Sequence, residues 1–332
     1  MTILVTGGAG YVGAHMLLAL GDAGEKAVAV DNLSTGAQWL APETAPLVVA
    51  DLGDRAALQK VFDEHDIKEV IHFAGSILIG QSIKDPLSYY RNNTANTLAL
   101  LETCLENNVW NFIFSSTASV YGRPESIPVS ESAPINSITP YGASMAMSER
   151  ILTDAAAAFN MNYVTLRYFN VAGADPAGRA GEIGKPTHLI KVAAQIAVGT
   201  RKEELQIYGD DYPTPDGTAI RDYVHVSDLA EAHLQALELL RKGGGALTLN
   251  CGYGRGYSVR EVVEAVSRVT GEPLPFTIGP RRPGDPPQLI ADSAAIRTML
   301  DWRPRYDDID FIVRTAIDWE KKLAAKDLGK AL

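Results

Sequence analysis

Ile3-Leu4-Val5-Thr6-Gly7-Gly8-Ala9-Gly10-Tyr11-Val12-Gly13 decides how this chain folds. A run of aliphatic and β-branched residues reads as a strand, and it breaks at once into glycines at 7, 10 and 13, within which a helix-like stretch opens. The GxxGxxG spacing makes a tight turn, brings backbone close to a ligand, and aims the free N–H groups and dipole of a helix N-terminus at an anion. A strand, a glycine turn and a helix in that order form the phosphate-binding end of a dinucleotide fold.

Working outward, short apolar runs alternate with amphipathic stretches: Ile3 to Thr6, Ala27 to Val30, Leu47 to Ala50, Glu69 to Phe73, Asn111 to Ser115 and Tyr163 to Tyr168. That alternation predicts an α/β fold, a doubly wound parallel sheet with helices on both faces and a smaller C-terminal lobe. Past Asn170 the texture turns to Gly- and Pro-rich loops, so a second lobe is expected to begin there. Asp222 to Val226, a helix-like Ser227 to Arg241, and Leu247 to Asn250 read as one more βαβ unit returning to the first sheet. The expected division is therefore discontinuous: residues 1–169 plus about 219–252 in a cofactor domain, and 170–218 plus 253–332 in a substrate lobe.

Asp31 ends the second strand-like run, where its carboxylate would accept hydrogen bonds from ribose hydroxyls and repel a 2′-phosphate. NAD is thus favoured over NADP. Asp51-Leu52, after the third strand, reads either as a flank of the adenine or, for Asp51, as a helix N-cap. His72-Phe73-Ala74-Gly75 ends the fourth strand with small residues that let backbone pass near the cofactor, and His72 reads as a core histidine. A chain of 332 residues with net charge −10 lacks the clustered cations of a nucleic-acid binder. The two cysteines, Cys104 and Cys251, are too few for a disulfide framework. With no basic leader, no apolar run of membrane-spanning length and no metal-ligand spacing, the expectation is a cytoplasmic protein without a metal and without a membrane partner.

Ser115, Ser116 and Thr117 close the fifth strand, and Tyr141-Gly-Ala-Ser-Met145 follows. Together with Val120-Tyr121-Gly122, Arg167-Tyr168-Phe169-Asn170 and the segment from Gly209 to Tyr223, these resemble the extended short-chain dehydrogenase/reductases, and the last segment resembles UDP-glucose 4-epimerases among them. The similarity runs from residue 1 to about 320. It implies that Tyr141 is the base and Thr117 its hydroxyl partner. It implies cofactor contacts from Gly7, Gly10, Tyr11, Val12, Asp31, Asn32, Asp51, Leu52, Phe73, Ala74, Gly75, Asn92, Ser115, Tyr141 and Tyr168. For a UDP-sugar it implies Thr117 and Asn170, His188 and Leu189 with Tyr208 near the uracil, Arg221 and Arg282 on the phosphates, Asp285 on the ribose, and Leu289 near the sugar. A homodimer through the helices of residues 87–107 and 143–159 is also implied.

One position breaks the pattern. The family motif is Tyr-x-x-x-Lys, in which the lysine charge lowers the tyrosine pKa; here position 145 is Met. The intact remainder of the site favours an introduced Lys-to-Met change over a natural sluggish or silent homologue. Ile77 likewise stands where many epimerases place a lysine. A nucleotide-sugar 4,6-dehydratase shares the fold and the tyrosine but needs an acid pair after the threonine, where this chain has Ala118 and Ser119.

Overall fold

The structure is a computed structural model that describes residues 1–184, 188–282 and 284–326. The last positions of the expected substrate lobe, 327–332, lie outside the described residues. The chain runs β1 (Thr2–Thr6), α1 (Tyr11–Asp22), β2 (Ala27–Asp31), β3 (Leu47–Val49), α2 (Arg55–Glu64), β4 (Ile67–His72), α3 (Ile79–Lys84), α4 (Pro86–Tyr89), α5 (Asn96–Glu106), β5 (Asn111–Thr117), α6 (Pro140–Phe159) and β6 (Asn162–Tyr168). There follow β7 (Asn170–Ala172), α7 (Leu189–Val198), β8 (Leu205–Tyr208), β9 (Ile220–Arg221), β10 (Tyr223–His225), α8 (Val226–Arg241), β11 (Ala246–Cys251), β12 (Tyr257–Ser258), α9 (Val259–Thr270), β13 (Phe276–Gly279), β14 (Gln288–Leu289), α10 (Ala294–Met299) and α11 (Ile309–Lys326).

Seven strands form one parallel sheet in the order β11-β6-β5-β4-β1-β2-β3. Its inner strands β6, β5, β4, β1 and β2 are largely buried on both faces, as the continuous apolar runs require, while the edge strand β3 is only half-buried. Ile3 and Val5 point into one core with α1 and α8, while Leu4 joins the opposite core with Leu100 and Leu152 of α5 and α6. The chain winds outward from β1 in both directions, so the strand order reverses between β1 and β4. A crevice at that switch point, past the carboxyl ends of the strands, is where an open α/β sheet takes its ligand.

Two expectations change. Only half of the late βαβ unit enters the sheet: β11 pairs with β6 through Cys251 and Tyr168, whereas β10 pairs with β7 instead. β11 occupies the outer edge of β6, and β7 follows β6 after Phe169 alone, so the β7-β10 pair forms beyond the sheet. The helix expected over 87–107 is interrupted by a π-helical turn at Tyr90–Ala95, where Asn93 turns inward to bond Ser144 of α6.

A buried ion pair fixes α6 to the sheet. Arg167 of β6 forks onto Glu149 of α6, with Nη2 to Oε2 at 2.6 Å and Nε to Oε1 at 3.0 Å, and Ser116 of β5 donates to the same carboxylate. Arg167 also donates to the Tyr121 hydroxyl (2.9 Å), which donates to Asn250 of β11 (2.7 Å). Removing one partner of such a pair strands the other charge in the core. Glu149→Ala is therefore expected to cost about 3–5 kcal/mol of stability, read as a drop in the urea midpoint, while exposed pairs such as Arg303 with Asp301 are expected to give less than about 1 kcal/mol.

Candidate active site

The glycine turn is built from two close approaches and one opening. Gly7 takes a left-handed φ of +72°, and a Cβ there would lie 2.8 Å from the Ala74 nitrogen; a Cβ at Gly13 would lie 2.1 Å from the Gly7 carbonyl oxygen. Gly10 is the N-cap of α1 with no side chain on the helix's free N–H groups, and only the Gly7 oxygen, at 3.2 Å, comes near its missing Cβ. That opening fits a pyrophosphate at the helix N-terminus. Tyr11 and Val12 begin α1, and the Tyr11 hydroxyl donates to the Gly173 carbonyl at 2.6 Å, tying the turn to the segment after β7.

Asp31 does more than end β2. Its buried carboxylate accepts the Ala9 N–H (3.0 Å) and the Leu33 N–H (2.8 Å), so it pins the glycine turn from behind and keeps lone pairs free for ribose hydroxyls. Asp51 accepts from Asn32 Nδ2 (2.7 Å), the Gly53 N–H (2.8 Å) and Asn96 Nδ2 (3.3 Å). The Asn32 amide and then the Gly53 N–H hold its carboxyl below the usual range. The N-cap of α2 is Asp54, which accepts from the Ala57 N–H, so the capping alternative for Asp51 fails. Leu52 beside it is buried.

At the other end, both nitrogens of His72 are spent on threonine hydroxyls, Thr6 at 2.6 Å and Thr97 at 2.9 Å, and burial pulls its pKa down to about 3. His72 is a neutral core residue. His233, which sequence reasoning missed, is the histidine that touches the site. Its Nδ1 faces the Leu229 carbonyl at 2.8 Å and so carries the proton; its Nε2 accepts from the Ser115 hydroxyl at 2.9 Å, and its ring lies 4.8 Å from that of Phe73. Burial pulls its pKa down to about 4, so it stays neutral. A polar residue on the buried stripe Leu229, His233, Ala236, Leu237 was the available signal. Burial raises the Tyr168 phenol well above its ordinary value, and the Ser115 hydroxyl beside it draws it back.

The π-helical turn carries Asn92 and Asn93. Asn92 donates to the Ser76 hydroxyl (2.9 Å) and accepts from Asn96 (3.3 Å). Asn93, also missed, accepts the Ser76 N–H (2.7 Å) and donates to the Ser144 hydroxyl (3.0 Å), docking the Ala74-Gly75-Ser76 turn onto α6.

Thr117 and Tyr141 meet where β5 ends and α6 begins. Thr139 caps α6 by accepting the Gly142 N–H (3.2 Å), and Pro140 fills the first turn, which needs no N–H donor there. One helical turn separates Tyr141 from Met145, and each is only 8% exposed. Burial pushes Tyr141 up to about 12 although the Thr117 hydroxyl pulls it down, and the neighbouring Tyr89 adds to the rise. Among the described residues no cation opposes that rise.

The residues expected to hold a nucleotide sugar fall at four places. Arg221 pairs with Asp285 (2.5 Å) and donates to the Pro286 carbonyl (2.9 Å), and Leu289 lies beside Arg221 across the β9-β14 pair. The Arg282 guanidinium stacks 4.0 Å from the Tyr208 ring centre. His188 precedes α7, with Leu189 as the first helical residue, and its Nδ1 lies 3.1 Å from Glu182. Burial opposes its charge, but that carboxylate prevails and the pKa is raised. Asn170 opens β7 with its N–H on the Asp222 carbonyl at 2.9 Å. Among the described residues no three His, Cys, Asp or Glu side chains converge as metal ligands, and no helix is long and apolar enough to cross a membrane.

Two outcomes test the cofactor end. Gly13→Ala forces backbone against backbone at the turn, so the purified protein is expected to lose its bound NAD, read from absorbance and from extracted nucleotide. Asp31→Ala removes two charge-assisted bonds that order the turn and the repulsion of a 2′-phosphate, so NAD should weaken roughly 10- to 100-fold while NADP gains relative to it. Equal affinity of the unmodified protein for NAD and NADP would contradict the role given to Asp31.

Comparison with known proteins converges on one group. A profile of the NAD dependent epimerase/dehydratase family matches residues 3–252. The UDP-glucose 4-epimerase of Azospirillum brasilense is 56% identical over 330 residues, covering 99% of this chain and 94% of that protein. The crystal structure of the UDP-glucose 4-epimerase of Brucella ovis in complex with NAD superposes with a TM-score of 0.93 at 44% identity, covering 96% of this chain and 98% of that one. The UDP-Glc/GlcNAc 4-epimerase of Campylobacter jejuni superposes with a TM-score of 0.85 at 44% identity, over 97% and 99% of the two chains. Its fold, its glycine turn and these relatives agree: the chain is an NAD-binding member of the NAD dependent epimerase/dehydratase family.

Proposed function

We propose that this chain interconverts UDP-hexoses at C4, as a UDP-glucose 4-epimerase slowed by Met145. The observation that carries this reading is the meeting of Thr117 and Tyr141 at the sheet's carboxyl edge, and the 56% identity to a UDP-glucose 4-epimerase supports it. NAD, when bound, supplies the group that accepts hydride from C4 of the hexose and returns it. Tyr141 takes the proton of the 4-hydroxyl and Thr117 holds that oxygen by a hydrogen bond as negative charge develops on it. A 4-keto sugar then turns its other face before Tyr141 gives the proton back. Arg221 and Arg282 suit the diphosphate, whose oxygens a planar guanidinium matches in pairs. An NAD- and UDP-sugar-binding protein without useful turnover is the second reading, favoured by the uncompensated Tyr141. We also propose the division into a cofactor domain (1–169 and about 219–252) and a sugar-nucleotide lobe, a cytoplasmic location, and a homodimer. The exposed apolar side chains Leu98 of α5 and Met147 of α6, with Ile135 nearby, support the last.

Only the phenolate can accept the proton, so activity depends on the ionised fraction of Tyr141. With a pKa about 12, roughly one site in 10⁵ is ionised at pH 7, and the fraction rises about tenfold per pH unit. The unmodified protein is therefore expected to show a kcat that climbs steadily from pH 7 to 10 with no plateau. Met145→Lys restores a cation one turn from Tyr141 without disturbing a good helix former, so it should raise kcat at pH 7 by about a hundredfold or more and bring the plateau down, with little change in UDP affinity. A lysine form no faster than the parent would sink the proton-transfer role.

Leu289 is smaller than an aromatic residue, which leaves room beside the sugar's C2 substituent. UDP-GlcNAc is thus expected to bind alongside UDP-glucose. No binding by calorimetry at millimolar UDP-GlcNAc, in a protein that takes UDP-glucose, would refute it.

A further inference from the structure

Asp222 is fully buried, and none of the ion pairs among the described residues includes it. Its carboxylate faces backbone alone. Oδ1 accepts the Tyr253 N–H at 2.9 Å, and Oδ2 accepts the N–H groups of Gly254 at 2.9 Å and Ala291 at 3.2 Å. Its own N–H donates to the Leu289 carbonyl at 3.2 Å, and its carbonyl accepts the Asn170 N–H at 2.9 Å. Five hydrogen bonds thus join the start of β7, the junction of β9 and β10, the loop after β11 and the end of β14.

A buried carboxylate met only by neutral donors is costly. Burial pushes Asp222 up to about 6 against the pull of the three N–H groups. An ionised carboxylate is nonetheless the short side chain that offers acceptors alone, enough for three donors at once. The surroundings are cut to its size: a Cβ at Gly252 would lie 2.6 Å from Asp222 Oδ2 and 2.5 Å from Ala291 Cβ. The residues its backbone binds or borders are Asn170 of β7, Arg221 of β9 and Leu289 of β14, three of those expected to contact a sugar nucleotide. None of its five bonds reaches the glycine turn, Asp31 or α6.

We infer that Asp222 is a positioning residue for the sugar nucleotide: its carboxylate gathers the Tyr253, Gly254 and Ala291 N–H groups and so fixes, against the last strand of the cofactor sheet, the backbone that bonds Asn170 and Leu289 and carries Arg221 next to it. This rests on the reading of Asn170, Arg221 and Leu289 as UDP-sugar contacts. Substrate affinity then depends on Asp222 while cofactor affinity does not, a split that a merely structural residue would not produce.

The test titrates UDP calorimetrically into the NAD-loaded protein, into Asp222→Asn and into Gly252→Ala, with bound NAD per chain and melting temperature taken on the same samples. Asp222→Asn sets an amide NH₂ against an N–H donor, and Gly252→Ala displaces the carboxylate while leaving its charge. Each is expected to raise the Kd for UDP at least tenfold with bound NAD unchanged. If the asparagine form does not fold, the alanine form decides. UDP binding within threefold of the parent overturns the inference, as does a parallel loss of UDP and NAD tracking a lower melting temperature. A parent protein that takes no UDP would overturn the functional reading itself, and this inference with it.

Discussion

The Glu149–Arg167 pair sets the distance between α6 and the sheet, and Thr117 and Tyr141, the reacting groups proposed above, inherit that distance. Arg167 comes from β6, Glu149 from α6, the Ser116 hydroxyl from β5, and Tyr121 carries the network on to Asn250 in β11. Four elements are tied by groups that must all be satisfied, because a partly paired charge in a dry core costs more than a well-packed apolar residue. Thr117 follows Ser116 directly, and Tyr141 lies two helical turns before Glu149. Shifting α6 by a fraction of an ångström would lengthen several charge-assisted bonds at once, which is why the pair can hold a hydroxyl and a phenol within reach of one another.

Within that rigid frame the ionisation of Tyr141 is governed by what does not surround it, since no cation among the described residues opposes the effect of burial. The groups that act on the phenol are a hydroxyl and another phenol: desolvation outweighs the pull of Thr117, and Tyr89 adds to the rise. Met145 fills the space one turn away as a flexible apolar side chain, so packing on that face of α6 is preserved while the electrostatics are not. Under the function proposed above, stability and reactivity are separable: the buried network upholds the first, and the limit proposed for the second is a single absent charge.

Polar residues inside the fold carry much of the positioning. His233 orients Ser115 and borders Phe73, Asn93 fastens the turn after β4 to α6, and Asp222 gathers three strand ends. Each is buried. Their partners are mostly backbone groups of segments remote in sequence, which no spacing rule announces. His72 shows the converse: it stands next to the cofactor crevice in sequence, yet two threonines satisfy it completely in the core.

The sequence by itself determined the parallel sheet, the glycine turn, the acidic end of β2 and the Tyr-x-x-x-Met departure, because each depends on local periodicity, on glycine's freedom at φ > 0 or on a fixed helical spacing. It also brought out the residue types suited to a diphosphate. Only the tertiary structure decided that β10 leaves the sheet for β7, that the helix near residue 90 widens into a π turn, that Asp51 anchors a turn rather than caps α2, and that Asp31 braces the glycines. Those outcomes turn on which distant backbone group is left without a partner once the sheet has closed, and a buried N–H or C=O must be paired wherever the chain can supply an acceptor or a donor. Local sequence sets the elements, and the hydrogen-bond requirement of the assembled core assigns their loose ends.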